Sequence, residues 1–214
     1  MRYIIVALAV SLCALAGLAI PSGLNTMPTA DTMNLGQLRG EVRYNSGLLY
    51  ANGESWVGGL ETGAILGTEA GIDRVGNKEV FNAKWRFFGG GIIPGVAVGA
   101  QNLANDETPQ VYLVATEHLP IPVARAAASL GVLRDTDDKY VTMLGASVGY
   151  SAFDLKVDHV WKSAKDGDLN STSIGVDWKV FKVVTLGGAI YNLEDKKPTL
   201  GANVGVQFDL LPLL

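Results

Sequence analysis

Three segments built on one plan occupy Tyr140 to Leu210, and they constrain the fold more than any other feature of the chain. Val148, Val176 and Val204 stand 28 residues apart, within Ser147-Val148-Gly149-Tyr150, Gly175-Val176-Asp177-Trp178 and Asn203-Val204-Gly205-Val206. Around them side chains alternate. Thr172, Ile174, Val176, Trp178 and Val180 fall on one face, and Ser171, Ser173, Gly175, Asp177 and Lys179 on the other. A period of two means strand, because successive side chains of extended backbone point to opposite sides. Leu155, Val157, His159 and Trp161 repeat the pattern against Asp154, Lys156, Asp158 and Lys162, as do Leu200 to Phe208 against Gly201 to Asp209. One face is apolar, the other small, polar or charged.

Extended through the chain, the pattern gives twelve candidate strands near 35–46, 54–64, 67–75, 78–88, 95–104, 109–118, 122–133, 139–150, 153–163, 170–180, 182–193 and 198–210. Most approach the ~9–11 residues with which a tilted strand crosses a bilayer. Their connections alternate in character. Those near 47–53, 76–77, 105–108, 134–139, 164–170 and 194–198 are polar and mostly charged, whereas those near 66–67, 88–94, 119–122, 151–152 and 180–181 are shorter or more apolar. Long outer loops and short inner turns give a barrel that signature, and an even strand number returns both chain ends to one side. Tyr50, Trp56, Trp161 and Tyr191 near the charged connections, and Trp85, Phe87, Tyr150, Phe153, Trp178, Phe181 and Phe208 near the short ones, form two expected interfacial belts.

The expected fold is therefore all-β: a single closed antiparallel up-and-down transmembrane barrel of about 12 strands. Its apolar face meets lipid, and a closed sheet leaves no edge unpaired there. Asn203-x-Gly205-x-x-Phe208-x-Leu210 fits the polar-x-Gly-x-x-aromatic-x-hydrophobic pattern that outer-membrane barrels carry on the last strand for assembly. The tail Leu211-Pro212-Leu213-Leu214 departs from it, since many such chains stop at the aromatic. Outer-membrane lipid and the barrel-assembly machinery are the expected partners.

The N-terminus sets the compartment. Arg2, an apolar run from Tyr3 to about Leu18, and Gly17-Leu18-Ala19 before Ile20-Pro21 read as a signal peptide over 1–19. Removing it would leave 195 residues, enough for one domain, and move the formal charge from −4 to −5, which attracts no nucleic acid. The single cysteine, Cys13, lies inside the run, so the exported chain would hold neither disulfide nor thiolate metal site. The expected division is signal peptide 1–19, an irregular periplasmic lead-in over 20–34, and a barrel over 35–214, in the bacterial outer membrane.

Within the lead-in, Gly23-Leu24, Met27-Pro28-Thr29-Ala30 and then Gly36 resemble the N-terminal signature of YjbH-like outer-membrane barrels, over about fifteen residues. The resemblance implies a role linked to exopolysaccharide.

If the apolar face is outside, the charged face lines the lumen. Expected there are Arg39, Glu41, Arg43, Glu61, Glu69, Asp73, Lys84, Arg86, Arg125, Asp154, Lys156, Asp158, Asp177 and Lys179. Acids and bases on neighbouring strands suggest pairs, Glu69 or Asp73 with Lys84 or Arg86, and Asp154 or Asp177 with Lys156 or Lys179. Such pairs either satisfy a crowded interior or line an aqueous path with weak charge preference. A porin-like passive pore or a structural envelope component is the expected task, with no catalytic residues, no metal and no cofactor. Two alternatives stay open. A lipid-modifying enzyme would use outward-facing His159 with Thr172 or Ser173, although Ser173 falls on the inner face; a soluble periplasmic β-protein would turn the apolar face inward.

Overall fold

In a computed structural model the described residues are 23–45, 56–75, 78–90, 93–103, 109–134, 140–162, 169–195 and 198–210. The signal peptide expected over 1–19, Tyr50 and most of the charged connections lie outside them. Twelve strands form: β1 (Gln37–Asn45), β2 (Trp56–Gly63), β3 (Thr68–Val75), β4 (Lys78–Gly90), β5 (Ile93–Gln101), β6 (Gln110–Leu119), β7 (Arg125–Arg134), β8 (Tyr140–Tyr150), β9 (Phe153–Lys162), β10 (Leu169–Lys179), β11 (Val184–Tyr191) and β12 (Thr199–Asp209).

Every strand pairs antiparallel with its chain neighbours, and β1 closes the ring on β12 from Gln37↔Asp209 to Asn45↔Gly201. Closure satisfies the backbone of all twelve without an edge, the condition for spanning lipid with strands. Gln37, Asp209 and the short turns share one end of the barrel, called here the turn end.

The alternation resolves as an inverted layout. Val148, Leu155, Val176 and Val204 are each about half exposed, while Glu41, Glu61, Glu69, Lys84 and Asp158 are buried. An aliphatic surface of this extent around a closed cylinder excludes the soluble arrangement, in which that face would be inside.

Rings gather at both ends of the strands. Trp85 lies 5.6 Å from Phe87 and Phe153 stacks on Trp178 at 6.1 Å near the turn end; Tyr44 and Trp56 meet at 4.9 Å near the other. Tyr191 does not join them. It shares its parity with Gly187 and Ala189, so it points inward and is buried, while Ile190 faces out.

The Gly89-Gly90-Gly91 turn also differs from expectation, because β4 continues to Gly90 through register shifts after Arg86 and Phe88. Gly89 has φ 71°, and a Cβ there would stand 1.9 Å from the Pro94 carbonyl oxygen. Only glycine fits such a bulge.

Candidate functional site: the barrel lumen

All fourteen charged residues singled out above occupy the inward parity of their strands, and the registers bring most of them together. On β1 the Arg39 guanidinium donates to Glu41, and Glu41 also accepts from Arg43 at 3.1 Å. Lys84 pairs with Glu69 at 3.3 Å, fully buried. Asp73 accepts a hydrogen bond from the Asn82 amide at 2.6 Å. Lys156 meets Asp177 at 2.6 Å, and Asp154 holds both Lys179 and Arg125 at 3.0 Å near the turn end. Arg86 shares the inner row, opposite Ala97.

Glycine supplies the room these long side chains need. Tyr112 lies across Gly99, where a Cβ would stand 2.2 Å from its ring, and Glu61 and Asn82 both lean over Gly71. Small inward residues thus leave space that neighbouring side chains fill.

The lead-in, expected on the periplasmic side, sits inside the barrel over its described part. Gly36 donates to the Gly63 carbonyl at the turn end; from there the chain runs back into the lumen and turns, with Leu24 N–H bonded to Met27 O at 2.9 Å and Gly23 bridging Pro28. Wall side chains match its backbone. Asp158 accepts from Asn25 N–H at 2.8 Å and from the Thr26 hydroxyl, Thr116 from Ala30 N–H at 2.8 Å, and Glu69 from Met33 N–H at 2.9 Å. Arg43 donates to the Asn25 carbonyl at 2.8 Å, and His118 meets Asp31 at 2.8 Å. The physical reason for the placement is composition: Leu24, Met27 and Met33 are apolar, and polar backbone leaves water only where partners wait.

Those apolar residues find an apolar wall. Leu24, Met27 and Ala30 pack with Ala97, Tyr112, Val114, Val141 and Met143 in one buried cluster. Burying side chains of this size is worth roughly 1.5–3 kcal/mol each. Charge-based reading missed this wall, because Val111-Tyr112-Leu113-Val114 is apolar on both faces and Val141 and Met143 flank an outward Thr142, so contrast there does not mark the inner side. The lumen is therefore two-sided, charged on β9, β10 and β1 to β4 with small and polar residues on β11 and β12 between them, and oily along β5 to β8.

Not every polar group of the wall finds a partner. Both carboxylate oxygens of Glu61, Asp73 Oδ1, Tyr112 Oη and Ser173 Oγ are sealed from solvent without a hydrogen-bond partner. Each such group costs about 1–3 kcal/mol, more when charged.

On the lipid-facing side, away from the turn end, His159 Nδ1 lies 2.7 Å from the Thr172 hydroxyl, which also donates to Glu194. Thr172 N–H donates to Glu194 at 2.9 Å. Desolvation opposes ionisation of Glu194, but the Thr172 hydroxyl, the N–H groups of Thr172 and Glu194, and His159 together outweigh it and hold the carboxyl below its ordinary range. The acid serves the hydroxyl rather than the far ring nitrogen, the reverse of an acyl-transfer triad, in which the imidazole stands between.

At the closing seam Asn203 and Gly205 face inward opposite Arg43 and Glu41, Phe208 faces out beside Leu38, and Leu210 N–H donates to Gly36 O at 2.7 Å.

A closed even-stranded cylinder, aliphatic outside and charged within, defines a transmembrane β-barrel, an architecture of the bacterial outer membrane. No family model matches the chain, and no curated protein matches it in sequence. Among solved structures it is similar in fold to the KdgM porin (12% identity, 80% of this chain and 98% of that one, TM-score 0.52) and to the NanC porin (11%, 80% and 98%, 0.52). It is likewise similar to Omp33 of Acinetobacter baumannii (6%, 80% and 97%, 0.50). KdgM is also seen in complex with disordered oligogalacturonate.

Proposed function

We propose that the chain is a narrow passive pore, with its conduction path along the charged wall rather than the oily one. The observation that carries this reading is the group of inward ion pairs between β9 and β10, within β1, and between β3 and β4. Fixed charges of both signs along a dry wall serve as stepping points for polar solutes and keep any one ion from binding too tightly to leave. Acids and bases are equal in number among the fourteen, so the path favours neutral or weakly charged polar solutes. A polyanion such as the oligogalacturonate of KdgM would meet as much repulsion as attraction. An envelope role beside exopolysaccharide follows from the YjbH-like signature, whose residues are those seated in the lumen. Export by cleavage after Ala19 and assembly guided by Asn203, Gly205, Phe208 and Leu210 complete the proposal. Planar-bilayer recording on refolded protein tests it: discrete conductance steps with a reversal potential near zero in a potassium chloride gradient are expected, and silence at every voltage would remove the pore.

A lipid-modifying activity is the competing reading, carried by the contact between His159 and Thr172. It requires ester hydrolysis in detergent that His159→Ala abolishes. We expect no hydrolysis by either form.

A further inference from the structure

We propose that Leu24–Met33 is a displaceable plug, and that its seated position is the closed state of the pore. The proposal rests on the pore reading above. Three features of the seat support it.

First, the segment crosses the bore. Met33 is tied to Glu69 of β3 and Asn25 to Asp158 of β9, strands that lie opposite one another in the ring of twelve. Arg43 of β1 and Thr116 of β6 hold it between. A path along the charged wall meets this segment wherever it starts.

Second, the bonds that hold it to the walls are of a kind that release together. The described bonds at Asn25, Thr26, Ala30 and Met33 run between a wall side chain and plug backbone or hydroxyl, apart from the Asn25 amide, which donates to the Lys156 carbonyl at 3.4 Å, and none pairs the segment with a strand as a ladder. Withdrawal therefore leaves all twelve strand pairings intact. The bridge of Gly23 to Pro28 folds the segment back on itself, so its tip enters as a turn and can leave toward the turn end without threading.

Third, the wall pulls in two directions. The apolar cluster of Leu24, Met27 and Ala30 favours seating. Against it stand the sealed oxygens of Glu61, Asp73 and Tyr112, which find no partner in the seated state. From Gly23 to Asn34 the segment carries one formal charge, Asp31, and that residue meets His118. It thus brings no cation to Glu61 or Asp73 of the wall, whereas a withdrawn segment leaves the bore to water. Opposed terms of this kind make a two-state element rather than a permanent filling.

A reversible lock provides the test. A Cβ built at Gly95 would stand 3.4 Å from the Ala30 Cβ, close to the separation of a disulfide. The variant Ala30→Cys, Gly95→Cys, with Cys13→Ser, is refolded, checked for its barrel by heat-modifiable gel mobility and for its disulfide by thiol titration, and recorded in a planar bilayer. A second variant, Asp158→Ala with Thr116→Val, loosens the seat. The expected result is at least fivefold lower open probability or step size when the lock is oxidised, recovery on reduction, and a higher open probability in the loosened variant. Equal conductance in the oxidised and reduced forms would overturn the plug while leaving the pore in place. Silence of wild type, reduced lock and loosened variant alike would overturn both.

Discussion

The Asp158 carboxylate on β9 accepts a hydrogen bond from the backbone N–H of Asn25, 2.8 Å away and 133 residues distant in the chain. The same carboxylate takes the Thr26 hydroxyl and, at 3.4 Å, the Thr26 N–H. A buried acid on the wall is thus satisfied by the lead-in rather than by a cation, and the lead-in is held by an acid rather than by a strand.

Asp158→Ala should free the tip of the segment while leaving the barrel folded. Hydrogen bonds to charged groups are worth about 1.5–3 kcal/mol each, so the amides of Asn25 and Thr26 should exchange with deuterium at least tenfold faster. Amides in the β9–β10 ladder should be unaffected. Unchanged exchange at Asn25 would show that Asp158 does not hold the segment.

The Glu69–Lys84 pair is fully buried, so removing one member should be worse than removing both. Lys84→Met alone takes the ammonium from a buried carboxylate, at a cost of about 3–5 kcal/mol. Combining it with Glu69→Gln keeps an acceptor for Met33 and should restore much of the loss. Urea midpoints of the two variants in detergent measure the difference; a double variant weaker than the single one contradicts the pairing.

Val176 is about half exposed at mid-strand on the outer face of β10. Placing arginine there should cost about 2–4 kcal/mol in a bilayer, because the charge must reach an interface or drag water inward. Ser173→Arg, on the inner face, tests the opposite prediction for a different reason, crowding rather than lipid. Stability measured by reversible unfolding into liposomes decides the first: a neutral Val176→Arg would mean that this face does not meet lipid.

Among the described residues outside the strands, Glu194 carries an acid dependence. Its folded pKa lies below the ordinary glutamate value of 4.5, so the stabilisation it brings is present above that value and is lost as pH falls through the lower folded one. The carboxyl carbon shift of Glu194 followed by NMR should titrate with a midpoint below 4.5, moving back up in Thr172→Val. A midpoint at or above the ordinary glutamate value in wild type refutes the clasp with Thr172.

Inward and outward faces of β8 to β10 and β12 were legible from alternation alone, because a strand offers each residue one of two directions and a run of Leu155, Val157, Asp154 and Asp158 leaves no doubt which is which. Tyr191 was misplaced because its amphipathic ring suits an interface as well as an interior, and only the register opposite Thr199 assigns it. Val114, Val141 and Met143 escaped because Val111 to Val114 is apolar on both faces and Val141 and Met143 flank an outward Thr142, and a pattern without charge contrast does not reveal an oily wall.

By itself the sequence determined a set of twelve half-apolar strands and the identity of the charged row, since both depend on local periodicity; periodicity fits either orientation of the two faces, and closure of the cylinder with its aliphatic side exposed decided between them. The tertiary structure alone decided what fills the cylinder. Whether Leu24 to Met33 hangs below the barrel or lies within it depends on Asp158, Thr116, Glu69 and the β5–β8 cluster meeting at one seat, and residues so far apart in the chain share no periodicity that could announce the meeting.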